Sequence, residues 1–293
     1  MSMPQFLRDL NALEVSTLQE IEQLIKDGWT GVLWNCPRKV YDEIPAIRQS
    51  DFKKWLENPK YYPFEKKYPK EPTDALIHGT LFDTMLFEPR EVFEQRYAFG
   101  PDVSKASKEW KAWAEMQPQG AELFKQSELE RFNAYKESYT AHRQWVKLIE
   151  GEYAFQVVCL AKLGDVWLKA ALDVLTPSCI VDAKLLAEAD DKSFGKKYLS
   201  GFGYDIQAAW YRYCCPIQGI PMYFACQEKH RFPEMVPNSC QWFQPSDEDV
   251  ATAMRLITRE VPKFAEAVKT GVYEGYPDGI AVVKIPVYAE RQA

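Results

Sequence analysis

Apolar residues follow one spacing in the first half of this chain and another in the second, and the change comes near residue 150. From Leu13 to Lys26 they recur as Val15, Leu18, Ile21, Leu24 and Ile25, the three-to-four-residue spacing of an amphipathic helix. Ser50 is placed to cap a helix over Asp51–Glu57, which Pro59 and Pro63 end. Further helices are predicted from Thr73 to Phe87, stopped by Pro89, and from Ser127 to Glu150. Beyond Tyr153 the pattern becomes that of strands: Ala154–Lys162, Asp165–Leu175 and Cys179–Lys184, with turns at Gly164 and Thr176-Pro177-Ser178. A helix over Tyr204–Cys214 and strands over Met222–Gln227 and Cys240–Gln244 follow. Ser246 caps a final long helix to about Thr270, with Gly271 just beyond it. Strands and helices sharing one sheet predict an α/β fold. No linker separates the halves, so one domain is expected over 1–293, with 1–150 a mainly helical N-terminal extension and 151–293 the sheet-containing core.

Two of these strands end in charge. Asp173 closes the apolar run Val166–Leu172, and Asp182-Ala183-Lys184 follows Cys179-Ile180-Val181. Read as a hairpin, the pair delivers two carboxylates and an ammonium to one end of a sheet. Crowded carboxylates repel unless a cation sits between them, and a hard cation such as Mg²⁺ takes oxygen ligands. Two acids, a spacer and a lysine are the minimal set for metal-assisted phosphodiester hydrolysis. The same spacing also fits a hairpin whose charged residues simply face water. On the helix that follows, Gln207 and Tyr211 are four apart and share a face, from which both can hydrogen-bond water or phosphate.

Composition narrows the possibilities. A chain with 46% apolar and 14% aromatic residues has ample material for a core. It has no apolar run long enough to span a membrane and no signal-peptide layout at Met1–Asp9, so a cytoplasmic setting in a bacterial host is expected. Cys36, Cys159, Cys179, Cys214, Cys215, Cys226 and Cys240 form no C-x₂-C pair and read as buried thiols. With only three histidines, any metal should be held by oxygen. A net charge of −6 excludes a protein that coats nucleic acid non-specifically, but not an enzyme that grips it in a local channel.

D…D-x-K followed by Q-x-x-x-Y resembles the nuclease core of the PD-(D/E)xK superfamily in its RecB-like branch. Ile44–Pro59 is similar to the N-terminal opening of RecE-type (exonuclease VIII) proteins of phages and prophages. So is His78–Pro89, which the family usually writes as G-x-x-x-H followed by L-L-E-P. The resemblance implies a restriction-endonuclease-like core, a central mixed sheet flanked by helices. It implies Asp173, Asp182 and the Ala183 carbonyl as ligands of one or two Mg²⁺ (or Mn²⁺) ions. Lys184 would stabilise or activate the attacking water, with Gln207 and Tyr211 orienting Lys184, water or phosphate. Glu152 matches the family's upstream glutamate, and is either a further ligand or a solvated turn residue. Asp83 stands where the family has histidine, and is either a substitute ligand or a helix-surface aspartate. Ala171 replaces the arginine of the family's K-x-R-x-D.

The resemblance further implies a Mg-dependent exonuclease digesting linear double-stranded DNA from the 5′ end, a ring-forming homo-oligomer, and a single-strand annealing partner. Arg48 with Ser50 is a candidate pocket for a terminal phosphate, although Ser50 also serves as a helix cap. Lys192, Lys196 and Lys197 either contact backbone phosphates or form a solvated loop. Trp55, Tyr61, Tyr62, Trp110 and Trp113 either stack on bases or pack in the core. Two alternatives stand beside this reading: another RecB-like nuclease (an endonuclease, or a helicase-associated or CRISPR-adaptation type carrying an iron–sulfur cluster, whose cysteine spacing is not met), and a catalytically inactive DNA-binding subunit on the same fold.

Overall fold

The computed structural model describes residues 2–275. Its helices are α1 (Gln5–Asp9), α2 (Leu18–Lys26), α3 (Arg38–Glu43), α4 (Gln49–Glu57), α5 (Tyr62–Lys67), α6 (Asp74–Phe87) and α7 (Arg90–Arg96). These are followed by α8 (Lys108–Ala114), α9 (Gln126–Ala141), α10 (Arg143–Ile149), α11 (Asp191–Ser193), α12 (Tyr204–Cys214) and α13 (Asp247–Thr270). A π-helical stretch, Phe194–Gly201, joins α11 to α12. The strands are β1 (Leu13–Glu14), β2 (Gly31–Trp34), β3 (Ile47–Arg48), β4 (Tyr97–Gly100), β5 (Glu122–Lys125), β6 (Ala154–Leu163), β7 (Val166–Leu175), β8 (Ile180–Leu186), β9 (Met222–Glu228) and β10 (Cys240–Phe243).

Eight strands form one mixed sheet in the order β1-β2-β6-β7-β8-β9-β10, with β3 beside β7. β6 and β7 are an antiparallel hairpin closed by Gly164 (φ 60°) and Asp165. Gly164 supplies the left-handed conformation that a two-residue hairpin loop needs. The Thr176 hydroxyl accepts from the Ser178 and Cys179 amides (3.1 and 2.9 Å) and so builds the turn to β8. β8 then runs parallel to β9 along its whole length. Apolar clusters on the sheet hold α12 and α13 residues in one body and α6 and α9 residues in another. The long α13 starts at Ser246, whose side chain accepts from Asp249 N, and stops at Gly271 in the left-handed region, as its sequence predicts. Among the described residues no helix is long and apolar enough to cross a membrane.

The N-terminal part departs from the sequence reading. The helix expected from Leu13 begins only at Leu18, because the Thr17 side chain caps it in a capping box with Glu20. Leu13 and Glu14 instead pair with β2, which itself pairs with β6. β1, β2 and β3 therefore belong to the main sheet, and residues 1–150 are not simply a helical extension. Ser50 is no cap either: α4 begins at Gln49 behind Arg48, and Ser50 is exposed within its first turn. The helix expected over Ser127–Glu150 is broken at His142, whose ring accepts from Gln144 N and starts α10. All seven cysteines are free thiols and five are buried.

β7 is held from both ends of one residue. Lys169 is 3% exposed, and its ammonium donates to the carbonyls of Tyr41 (2.7 Å), Ile44 (3.0 Å) and Asp42 (3.2 Å). It thereby serves carbonyls at the point where α3 ends. Burial, with Arg48 nearby, pulls its pKa down to about 8. The Lys169 carbonyl in turn accepts from Trp210 Nε1 at 3.0 Å, which fastens α12 to the sheet. Phe52 of α4 packs on the same indole, 5.4 Å between centroids. Lys169→Met removes the donor that these three carbonyls share and should cost about 2–4 kcal/mol of unfolding free energy by denaturant titration. A loss of only about 0.5 kcal/mol, the size of a single weak hydrogen bond, would show that water replaces the ammonium.

Candidate active site

The site forms where a strand ladder stops. β7 and β8 pair only at Val174↔Val181 and Leu175↔Ile180. The next residues in register are Asp173 and Asp182, and there the ladder opens. β6 occupies one edge of β7 throughout, so β3, which pairs at Leu168 and Lys169, must share the other edge with β8. The stretch of β7 between those pairings has no ladder partner on that edge. β6 is also bent here: Gln156, opposite Asp173, has φ 51°.

At the opening, carboxylates take the place of the ladder. Asp173 Oδ2 accepts from the Ala183 amide at 2.9 Å. In an extended strand the N–H and C=O of one residue lie on the same edge, so the Ala183 carbonyl faces the same opening. Asp182 is 2% exposed; its Oδ1 accepts from Gln207 Nε2 at 2.8 Å, and its Oδ2 faces the Lys184 ammonium. Gln207 reaches Asp182 because α12 is fixed one turn later by Trp210. Lys184 keeps a fifth of its side chain accessible, while its ammonium lies over the Tyr204 and Phe224 rings at 5.1 and 5.9 Å.

Asp83 of α6 joins them. Its carboxyl is pushed up to about 7 by burial and by the Asp182 charge, against the opposing pull of Lys184. Burial, and then Asp182 and Asp83, hold the Asp173 pKa well above its ordinary value. Burial raises Asp182 as well, but Lys184 and Gln207 both favour its ionised form. Burial alone would lower the Lys184 pKa; the charges of Asp182, Tyr204 and Asp173 reverse this and keep the ammonium charged. Asp83, Asp173 and Asp182 therefore lie near enough for their charges to act on one another, with Lys184 opposing them. Tyr211 lends a hydroxyl whose pKa burial and the Asp182 charge drive well up.

The sequence reading missed three neighbours. Tyr139 of α9 is fully buried, and its hydroxyl has no partner although it senses Asp173, Asp83 and Asp182. Lys53 of α4 donates to the Phe202 carbonyl and lies close enough to Lys184 for the two charges to repel. Tyr204 floors the lysine. No local motif marks any of them; packing alone brings them here.

Other candidates lie elsewhere. Glu152 is exposed, accepts from the Gln5 amide at 3.1 Å and lines a cavity beside Thr176, Ser178 and Trp242, at the closed end of the β7–β8 turn. It is a surface residue at the start of α1 and is not brought to the carboxylates. Arg48 is engaged by Asp51 (3.0 Å) and Asp42 (3.2 Å), so it is not a free phosphate donor. Lys192, Lys196 and Lys197 are exposed on the helical segment before α12, with Lys197 3.5 Å from Glu188. Trp55, Tyr62 and Trp110 are buried, whereas Tyr61 is exposed.

Among the described residues no three His, Cys, Asp or Glu side chains are already arranged as a finished metal-ligand set. The donors nevertheless suit a hard divalent cation: Asp83, Asp173 and Asp182 supply oxygen and excess negative charge, and the buried Tyr139 hydroxyl beside them lacks a hydrogen bond. Asp182, Asp173 and Asp83, with the Ala183 carbonyl, are the residues that would hold it.

Comparison with known proteins bears on the family and the fold. Residues 49–276 match the family described as a PDDEXK-like domain of unknown function (DUF3799), and the chain belongs to that family. Among solved structures it is similar to a "putative exonuclease" from Eubacterium rectale, with TM-score 0.58 and 20% identity over 83% of this chain and 90% of that one. That likeness bears on the fold, a mixed sheet flanked by helices. No curated protein sequence matches.

The raised carboxylate pKa values fix the sign of a pH effect. Folded Asp83 titrates near 7 rather than near 3.8, so its protonated form favours the fold. That contribution is full below about pH 4 and is lost as pH rises through 7. A divalent cation needs the ionised form, so its stabilisation should run the other way. Thermal unfolding should show a larger Mg²⁺-induced rise in Tm at about pH 8 than at about pH 5.5, on either side of the Asp83 midpoint, and Asp83→Asn should shrink the difference. Equal shifts at both pH values would remove these carboxylates as the ligands.

Proposed function

We propose that the protein is a metal-dependent deoxyribonuclease, an exonuclease of RecE type that digests linear double-stranded DNA from the 5′ end and leaves a 3′ single strand. The observation that carries the chemistry is the convergence of Asp83, Asp173 and Asp182 with Lys184 at the point where β7 and β8 part. The description of the Eubacterium rectale protein as an exonuclease supports the reaction class. Polarity and duplex preference rest on the resemblance of Ile44–Pro59 and His78–Pro89 to RecE-type proteins, as do a ring-forming homo-oligomer and an annealing partner.

A divalent cation at these carboxylates, Mg²⁺ in this reading, would polarise the scissile phosphate and acidify the attacking water. The chain's own groups do the rest. Lys184, whose ammonium is supported by the Asp182 charge, is placed to neutralise charge developing on the phosphate oxygens. Gln207 holds Asp182 in a fixed orientation without adding charge. Tyr211 stays protonated and can donate to phosphate or water at the rim. The rings of Tyr204 and Phe224 keep the lysine from swinging away.

Linear duplex labelled at the 5′ or the 3′ end, with a closed circle as control, tests the reading in Mg²⁺ and in EDTA. The expected result is early release of the 5′ label, an intact circle and no reaction in EDTA. Early release of the 3′ label would reverse the polarity, and attack on the circle would make the enzyme an endonuclease. Asp182→Asn and Lys184→Gln preserve side-chain size, and each should slow cleavage by about 10²–10³-fold or more, with melting transitions retained. Full activity in either purified variant would refute the assignment.

A further inference from the structure

We propose that the exposed face of residues 60–70 is a track for single-stranded DNA, on which unpaired bases stack against Tyr61, Phe64 and Tyr68 while Lys66 and Lys67 hold backbone phosphates. The proposal rests on the nuclease reading above, which produces an unpaired strand.

The segment is anchored by one ring and displays the others. Tyr62 is buried against Phe264 (4.8 Å, edge-on) and Tyr273 (6.1 Å). Its neighbours Tyr61, Phe64 and Tyr68 are 56%, 56% and 62% exposed. A single exposed aromatic needs no explanation, but three within eight residues form a patch. Lysines are interleaved with them: Lys66 lies over the Tyr62 ring at 5.7 Å and Lys67 over Tyr68 at 5.2 Å. Between residues 60 and 70 there are four lysines and one glutamate, in a chain whose net charge is −6. That glutamate, Glu65, is occupied by Lys70 at 3.0 Å, with Lys54 at 4.0 Å.

Charge and aromaticity together choose the occupant. Lysine is depleted from the cores of protein–protein interfaces, so a patch with this many is poorly made for another copy of the chain. Ring faces can stack only on bases that are out of a duplex, and a cationic groove with stacking platforms is how unpaired strands are held without sequence preference. The position also fits. α5 directly follows α4, whose Lys53 reaches the α12 entrance beside Lys184. Lys66 is close enough to Lys169 for its charge to be felt there, and Tyr62 senses Arg48 and Asp51. The track would thus leave the site along α4 and α5.

Fluorescence anisotropy with labelled oligo(dT) in EDTA, where nothing is cut, tests it. The triple variant Tyr61→Ala/Phe64→Ala/Tyr68→Ala should bind oligo(dT) about tenfold or more weakly, with unchanged melting temperature and unchanged mass by light scattering. Lys66→Gln/Lys67→Gln should reduce the slope of log affinity against log salt by about 0.7 for each phosphate that is no longer neutralised. Undiminished oligo(dT) binding by the aromatic variant overturns the track, and so does a change of mass at unchanged affinity, which would assign the face to an association between copies. Wild-type protein that binds oligo(dT) through these residues but cuts nothing in Mg²⁺ would keep the track and overturn the nuclease. Cleavage by wild type with oligo(dT) binding indifferent to both variants would do the reverse.

Discussion

Three carboxylates enclosed with one ammonium are the constraint around which this fold is arranged. Two like charges a few ångströms apart repel by about 4 kcal/mol at the effective dielectric of a protein near its surface, and more when buried deeper. The molecule tolerates this by several small devices. Burial pushes Asp83 and Asp173 toward their neutral forms, while Lys184 and Gln207 support the charge on Asp182. The Ala183 amide, freed by the opening of the ladder, is given to Asp173. Together they keep carboxylate charge concentrated beside one lysine, which is the electrostatic environment that a hard cation favours.

Such a place needs an interrupted sheet, and the interruption has to be rigid. β7 achieves it by dividing one edge between β8 and β3, with an unpaired stretch between them. Lys169 and Trp210 then lock the surroundings: the lysine ammonium holds the end of α3, and the indole holds α12. Gln207, three residues before Trp210, inherits its position from that lock. A buried lysine outside the carboxylate cluster thus supports it through backbone rather than through charge.

On the proposed reading, an acidic chain that acts on an anionic polymer must concentrate its cations. Here they are local: Lys184 and Lys53 at the site, and the lysine-rich stretch that follows α4. Net charge describes solubility and long-range approach, whereas local clusters decide where a backbone can rest.

The chemistry-bearing strands were legible from local pattern. Asp173 and Asp182-Ala183-Lys184 could be located because long apolar runs and a Thr-Pro-Ser turn define β7 and β8, and helical spacing puts Gln207 with Tyr211. α13 was equally clear, from its cap and its terminal glycine. β1 and β3 were not, since a strand of two residues has no period to read. Whether Asp83 or Glu152 accompanies the aspartates was open in the sequence, and the packing of α6 on β8 decided for Asp83 while the start of α1 claimed Glu152. Tyr139 and Lys53 had no signal at all. Period and turn chemistry act over a few residues and survive in the sequence; burial and Coulomb coupling between elements far apart along the chain exist only once it has closed on itself.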